Sequence, residues 1–580
     1  MRPSRASPAA SLLAALLLAA PARAQDPLMR AFDLEQQGRF ADAAAAYHAV
    51  LAERPADLGA LLGAERVYAQ LGQRDSTVAL VRRALAADST NRTLHAVLLR
   101  TLQAQRDDTG LAAAFARWTA LAPRDPAPYE ELARLLIAAG REPQARALVL
   151  QARQRLGDPR AAAAQMGELE MREGAVGAAA AEWRVAVTRA PALRDAAVFS
   201  LRAALPMDRE PLLRTLTAGG AEQAAGRSIA VDLLLAWGQP QRGLGMLRGA
   251  LPSLGGARAA ELRHFADAAA RDGSPEAERA AGEALELLSQ GQPGAEAAAT
   301  LVQSARAFAA AGDVEAARRM LRDLADRPGV PADVATAARA TLVELAASRG
   351  GAEEAARLLD AERGNLPAGE YQRLARQVAF AWLRAGSLER AERAVAGDSS
   401  LAADELRGWV AFYRGELKDG AALLRDVGAD AGEPELAPAR AAAVALAAGV
   451  GRDTLPALGA ALLRAEAGDT LGASRALAAV AEALTGDAQD AVRLLAARYA
   501  AAAHDTSAAV ATWTVLAARP GGSTAGAAAL LALARVAIAR GRFAEATARL
   551  EELILGNPES ALVPEARREL DRVRGLVPHS

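Results

Sequence analysis

Arg66, Arg100 and Arg134 stand 34 residues apart, and Arg306, Arg498 and Arg535 take the same place in later stretches of similar pattern. A guanidinium stays charged at any physiological pH and pairs bidentately with carboxylates. A series of them in register would clamp an acidic segment of a partner polypeptide. The competing reading is a solvated helix face in an arginine-rich chain, since Lys418 is the sole lysine. Acids at Glu168, Asp232, Asp267 and Glu344 interrupt the series and would repel an acidic ligand across the middle.

Other chemistry finds little footing. The histidines are His48, His95, His264, His504 and His579; no two are spaced i, i+4, and no H-E-x-x-H occurs. With one lysine there is no P-loop. Gly243 and Gly245 are followed by Gly249, one residue too late for a dinucleotide fingerprint. Asp426, Asp430, Glu433 and Glu435 lack calcium-loop spacing and read as a solvated loop. Asn91-Arg92-Thr93 fits a glycosylation acceptor, a short and common match. The chain has no cysteine, which excludes disulfides, thiolate metal sites, cysteine nucleophiles and a lipidated cysteine. No catalytic residue, cofactor or metal is expected.

The elements that must position the arginines announce themselves by period. Gly38, Gly72, Gly140 and Gly174 share the 34-residue ruler, and Pro55, Pro123 and Pro191 share a second one offset by 17. A fixed period of this length marks stacked helical hairpins. The glycine falls at the turn within a hairpin; the proline, or Gly157 in its place, falls between hairpins. Tyr129, Leu132, Ala133 and Leu136 make one helix face, and Ala145, Val149 and Ala152 make the buried face of the next helix. Pro143 fits that helix's first turn.

This pattern resembles the tetratricopeptide repeat (TPR) family. Gly38, Phe40, Ala43, Tyr47 and Pro55 carry its motif; so do Gly174, Val176, Ala179, Trp183, Ala186 and Pro191, with Gly167 at the close-packing site; so do Gly541, Phe543, Ala546, Leu550, Leu553 and Pro558. Further units centre on Gly238, Gly273, Gly312, Gly350, Gly386, Gly415 and Gly468, while Arg106 and His504 replace the glycine. The resemblance implies an all-α, right-handed solenoid of roughly fourteen hairpins. It also implies that the six arginines line a concave groove for extended peptides. Tyr47, Trp183, Phe308, Trp513 and Phe543 are expected in the core; Trp409 and Phe380 fall at groove-lining places, where core and ligand platform both stay open.

Residues 1–24 read as a cleaved export signal. Arg2 and Arg5 precede an apolar run at residues 12–20, then Pro21 and the small-x-small sequence Ala22-Arg23-Ala24, which places the cut between Ala24 and Gln25. The run is too short to span a bilayer, and no later stretch is long enough. Residues 25–205 form the regular array, 206–226 an irregular segment, 227–560 an irregular array, and 561–580 a capping helix and tail. A formal net charge of −1 gives no reason to expect nucleic acid. These features lead to an exported, bacterial, non-catalytic scaffold of the cell envelope. Its groove would hold a protein or peptide partner, with a role in outer-membrane or export assembly. A polysaccharide-export or cell-wall accessory protein is the alternative, which aromatics on the groove face would favour. Oligomeric state is not legible.

Overall fold

The hairpin turns show how the period becomes structure. In a computed structural model that describes residues 26–348, 351–427, 434–519 and 523–576, Gly38, Gly72, Gly140 and Gly174 adopt φ between +71° and +78°. The chain reverses there because glycine enters the left-handed region without a Cβ penalty. Where the sequence lacks the glycine, the turn persists: Arg106 takes φ 60° and His504 takes φ 62°. Arg106 therefore completes the ruler that runs from Gly38 to Gly174. At the opposite ends of the hairpins, side chains cap the next helix. Asp57 accepts a hydrogen bond from the Ala60 N–H at 3.0 Å, and Asn91 accepts one from Leu94 at 3.3 Å. That bond commits the Asn91 side chain to the fold.

Thirty-two α-helices follow one another, with short 3₁₀ turns and no strand among the described residues. The chain is an all-α stack of helical hairpins in two compact units, one ending at Asp272 and the other beginning at Gly273. Small residues hold each hairpin closed. A Cβ added to Gly167 would stand 2.9 Å from Trp183 Cδ1, and one added to Gly408 would stand 2.9 Å from Leu424 Cγ. Tyr47, Trp183, Phe308 and Trp513 are buried as expected, whereas Phe543 is only half-buried at the start of its helix. Pro143 does occupy the first turn of the helix Glu142–Leu156, whose Ala145, Val149 and Ala152 are fully buried.

The first unit contains the irregular stretch 206–226, which still forms a helix, Arg209–Thr217, with Leu212 and Leu216 fully buried. In the second unit the stacking changes after the helix Leu417–Asp426. The helix Ala437–Val450 packs on Leu417–Asp426 and on Gly486–Ala502. The helix Pro456–Glu466 instead returns to Leu401–Arg414 and Ala368–Arg384. Gly459 permits that return, because a Cβ there would run into the Tyr413 carbonyl oxygen at 2.5 Å. At the far end Val563–Leu576 forms the final helix, with Ala566, Leu570 and Val573 buried. The export signal and its cleavage point lie outside the described residues, as do Gly350, Asp430, Glu433 and His579. No described helix is long and apolar enough to cross a membrane.

A left-handed backbone costs a non-glycine residue roughly 1–2 kcal/mol, partly offset by glycine's greater unfolded entropy. Arg106→Gly and His504→Gly are each expected to raise stability by about 0.5–1 kcal/mol, read as a higher urea midpoint at unchanged slope. A lower midpoint for either would mean that its side chain contributes more than its backbone costs.

Candidate functional site

Five of the six ladder arginines are engaged by the fold itself. Arg66 donates to Glu35 through Nε at 2.7 Å and Nη2 at 2.9 Å, and the Tyr47 hydroxyl donates to the same carboxylate at 2.6 Å. Those bonds hold the Glu35 carboxyl below its usual range, the Arg66 bond being the largest cause. Burial, then the Glu35 carboxylate, pushes the Tyr47 hydroxyl up to about 12. Arg100 makes the same two-pronged pair with Glu65, at 2.7 Å for both bonds. Arg134 turns instead to Glu131 of its own helix, at 2.5 and 3.0 Å. Arg535 pairs with Glu565 at 2.5 Å. Arg306 donates to the Thr341 hydroxyl at 3.0 Å and stands 3.9 Å from Glu344. Glu344 is itself held by Arg373 at 2.6 Å. Arg498 is exposed and has no ion-pair partner among the described residues.

These pairs belong to a general pattern. Arg141–Asp108, Arg189–Asp158, Arg279–Asp313, Arg318–Glu354 and Arg440–Glu405 join residues 31 to 36 apart in sequence. Each arginine therefore reaches about one repeat along the stack, to a neighbouring hairpin. Asp232, one of the acids interrupting the ladder, is likewise committed: Arg194 grips it at 2.6 and 2.9 Å and also reaches Glu261, while His264 Nε2 lies 3.2 Å away.

Two surfaces that the sequence reading did not single out remain available. In the first unit, Phe199, Leu205 and Met207 are 67 %, 59 % and 79 % exposed. Phe199 lies on the helix Arg194–Leu201, whose Ala197 and Leu201 fill the core; a residue midway between two core positions four apart must face outward. That spacing was the signal in the sequence. Beside Phe199, Met171 and Arg172 of the preceding first helix help line a cavity of about 730 Å³. The Arg202 guanidinium lies over the Phe199 ring at 4.5 Å, and Arg209 lies over the Trp237 ring at 4.8 Å.

In the second unit, the helices Gly294–Ala310, Ala332–Ser348 and Ala368–Arg384 pack side by side and carry a cavity of about 640 Å³. Arg306, Glu344, Gln377, Phe380 and Arg384 line it from these helices. Glu435, Leu436 and Glu466 close it from the irregular region. Arg306 is the ladder member that it takes in. Of the two aromatics left open between core and groove, Phe380 lines this cavity. Trp409 does not: it is buried, stacked on Tyr413 and edge-on to Phe412.

The histidines are scattered. His95 is buried and stacked on Trp118 at 5.0 Å, with Nε2 2.9 Å from the Ser89 carbonyl. His48 is exposed, and His504 forms a turn. No group of three or more metal-ligating side chains occurs among the described residues.

No family model matches the chain, and no curated protein matches it. Solved structures align along its length, among them two protein complexes. The Naa15/Naa10 complex bound to HypK-THB is 14% identical, with a TM-score of 0.25, covering 94% of this chain and 91% of that one. The APC/C hetero-tetramer Cut9–Hcn1 is 13% identical, with a TM-score of 0.23, covering 91% and 98%. Likenesses at these TM-scores say nothing of function, and the fold stands on the chain's own helices.

Burial lowers the pKa of His95 from its ordinary value of 6.5. The unfolded chain then binds the proton first as pH falls, so stability is full above about 6.5 and is lost progressively below it. The urea midpoint should fall between pH 7 and pH 5.5, and His95→Gln should flatten that fall. An equally steep fall in the variant would assign the acid sensitivity to other groups.

Proposed function

We propose that the chain is a non-catalytic scaffold that holds a partner protein against the first helices of its first unit, centred on Phe199, Leu205 and Met207. The observation that carries this reading is the exposure of three large apolar side chains within nine residues, in a chain whose other apolar bulk is largely interleaved between hairpins. Exposed apolar patches mark interaction sites, and aromatic residues, methionine and arginine are the types enriched at interface centres. Residue 202 lies two repeats beyond Arg134 on the ladder's ruler, so the patch continues the arginine face. An acidic partner segment would have to displace Glu35 and Glu65 from their bidentate bonds, which argues for an apolar contact over a carboxylate clamp.

A glycan partner is the less favoured reading. Sugar rings need open aromatic faces, whereas a guanidinium lies over one face of Phe199, another lies over Trp237, and packing buries Trp409. Export to the cell envelope belongs to the same proposal and rests on the signal pattern of residues 1–24.

The test is cross-linking in intact cells followed by purification from the extracytoplasmic fraction. Phe199→Ser combined with Met207→Ser should lower recovery of the wild-type chain's main protein adduct at least tenfold. Stability should change by no more than about 0.5 kcal/mol, as for surface substitutions. Undiminished recovery would remove the patch as the docking surface; finding the chain in the cytosol would remove the envelope assignment.

A further inference from the structure

The cavity of the second unit presents a distinct set of unmet hydrogen-bonding groups. Arg384 closes the helix Ala368–Arg384, is exposed, and donates only to the Phe380 carbonyl at 3.4 Å. In a chain whose arginines are mostly matched to carboxylates, it has no acidic partner among the described residues. Arg306 bonds a hydroxyl, and its nearest carboxylate, Glu344, is the one held by Arg373. Glu435 is exposed on the opposite wall, and Glu466 accepts only from the Tyr413 hydroxyl at 3.2 Å. Between these groups lie Leu345, Phe380 and Leu436.

The cavity therefore offers cationic donors, anionic acceptors and apolar side chains within about 640 Å³. Volumes of this order suit small ligands. We propose that it binds a small zwitterion with an apolar side chain: a free amino acid or a short peptide. The α-carboxylate meets Arg384 and Arg306, and the α-ammonium meets Glu435 and Glu466. The apolar side chain rests on Leu345 and Phe380. Neither charge alone satisfies the site, because an anion leaves the two glutamates unanswered and a cation leaves the two arginines so. This site stands apart from the protein-docking surface in unit and in ligand class, so either can fail without the other.

The full-length chain is titrated by calorimetry with L-leucine, L-leucyl-L-leucine, N-acetyl-leucyl-leucine, leucyl-leucinamide and glucuronate. Saturable heat is expected with leucine or the free dipeptide: leucine binding tighter would identify an amino acid as ligand, the dipeptide binding tighter a peptide. Each blocked dipeptide should bind at least tenfold more weakly than the free one. Arg384→Gln, a substitution at an exposed position with no carboxylate to release, should cost the same tenfold at an unchanged melting temperature, while Arg66→Gln should leave binding as it was. The proposal is overturned by no saturable heat from either zwitterion, by equal binding of the blocked forms, by an unaffected Arg384→Gln chain, or by glucuronate binding in their place.

Discussion

Each hairpin can bury its apolar face only against the hairpins before and after it, and the rest of the structure depends on that constraint. Alanine and glycine at the helix contacts let the backbones approach, and leucine, tyrosine and tryptophan fill the space between neighbours. Burying one leucine is worth about 1.5–3 kcal/mol. An exposed ion pair contributes roughly 0–1 kcal/mol. The stack is therefore held by its apolar contacts, and the arginine pairs set register and orientation on top of them. A repeat protein of this kind sums many nearest-neighbour interfaces, so no single central core is required.

The same constraint explains the state of the arginines. Stacking brings side chains one repeat apart into contact, so a guanidinium recurring at that period meets a carboxylate recurring at that period. Arg66 with Glu35 and Arg100 with Glu65 are two such meetings. A periodic charge on a solenoid is thus first a feature of the stack, and becomes available to a ligand only where the period breaks. Both candidate surfaces lie at such breaks. Phe199 precedes the irregular stretch 206–226, and Arg306 and Arg384 face the region where Pro456–Glu466 leaves the regular order.

Much of the fold was legible because glycine and proline mark turns and these turns recur. Even Arg106, which hides the period by residue type, obeys it by conformation. The place of the ladder arginines was legible too. Their partners were not, since which acid meets which arginine depends on side-chain directions across a neighbouring repeat. Phe199 was readable from Ala197 and Leu201 on either side of it. The cavity was not readable, because Glu435 and Glu466 reach it through a change of packing order that no local periodicity encodes. Trp409 was open between core and groove from its register, and its stacking on Tyr413 takes it into the core.

The most direct measurement is site-specific photo-cross-linking in intact cells, with the reactive group placed in turn at position 199 and at position 66. The account predicts a discrete protein adduct from position 199 and none from position 66, where the neighbouring guanidinium series is already paired within the stack. An adduct from position 66 without one from position 199 would contradict it, and would return the binding role to the arginine ladder.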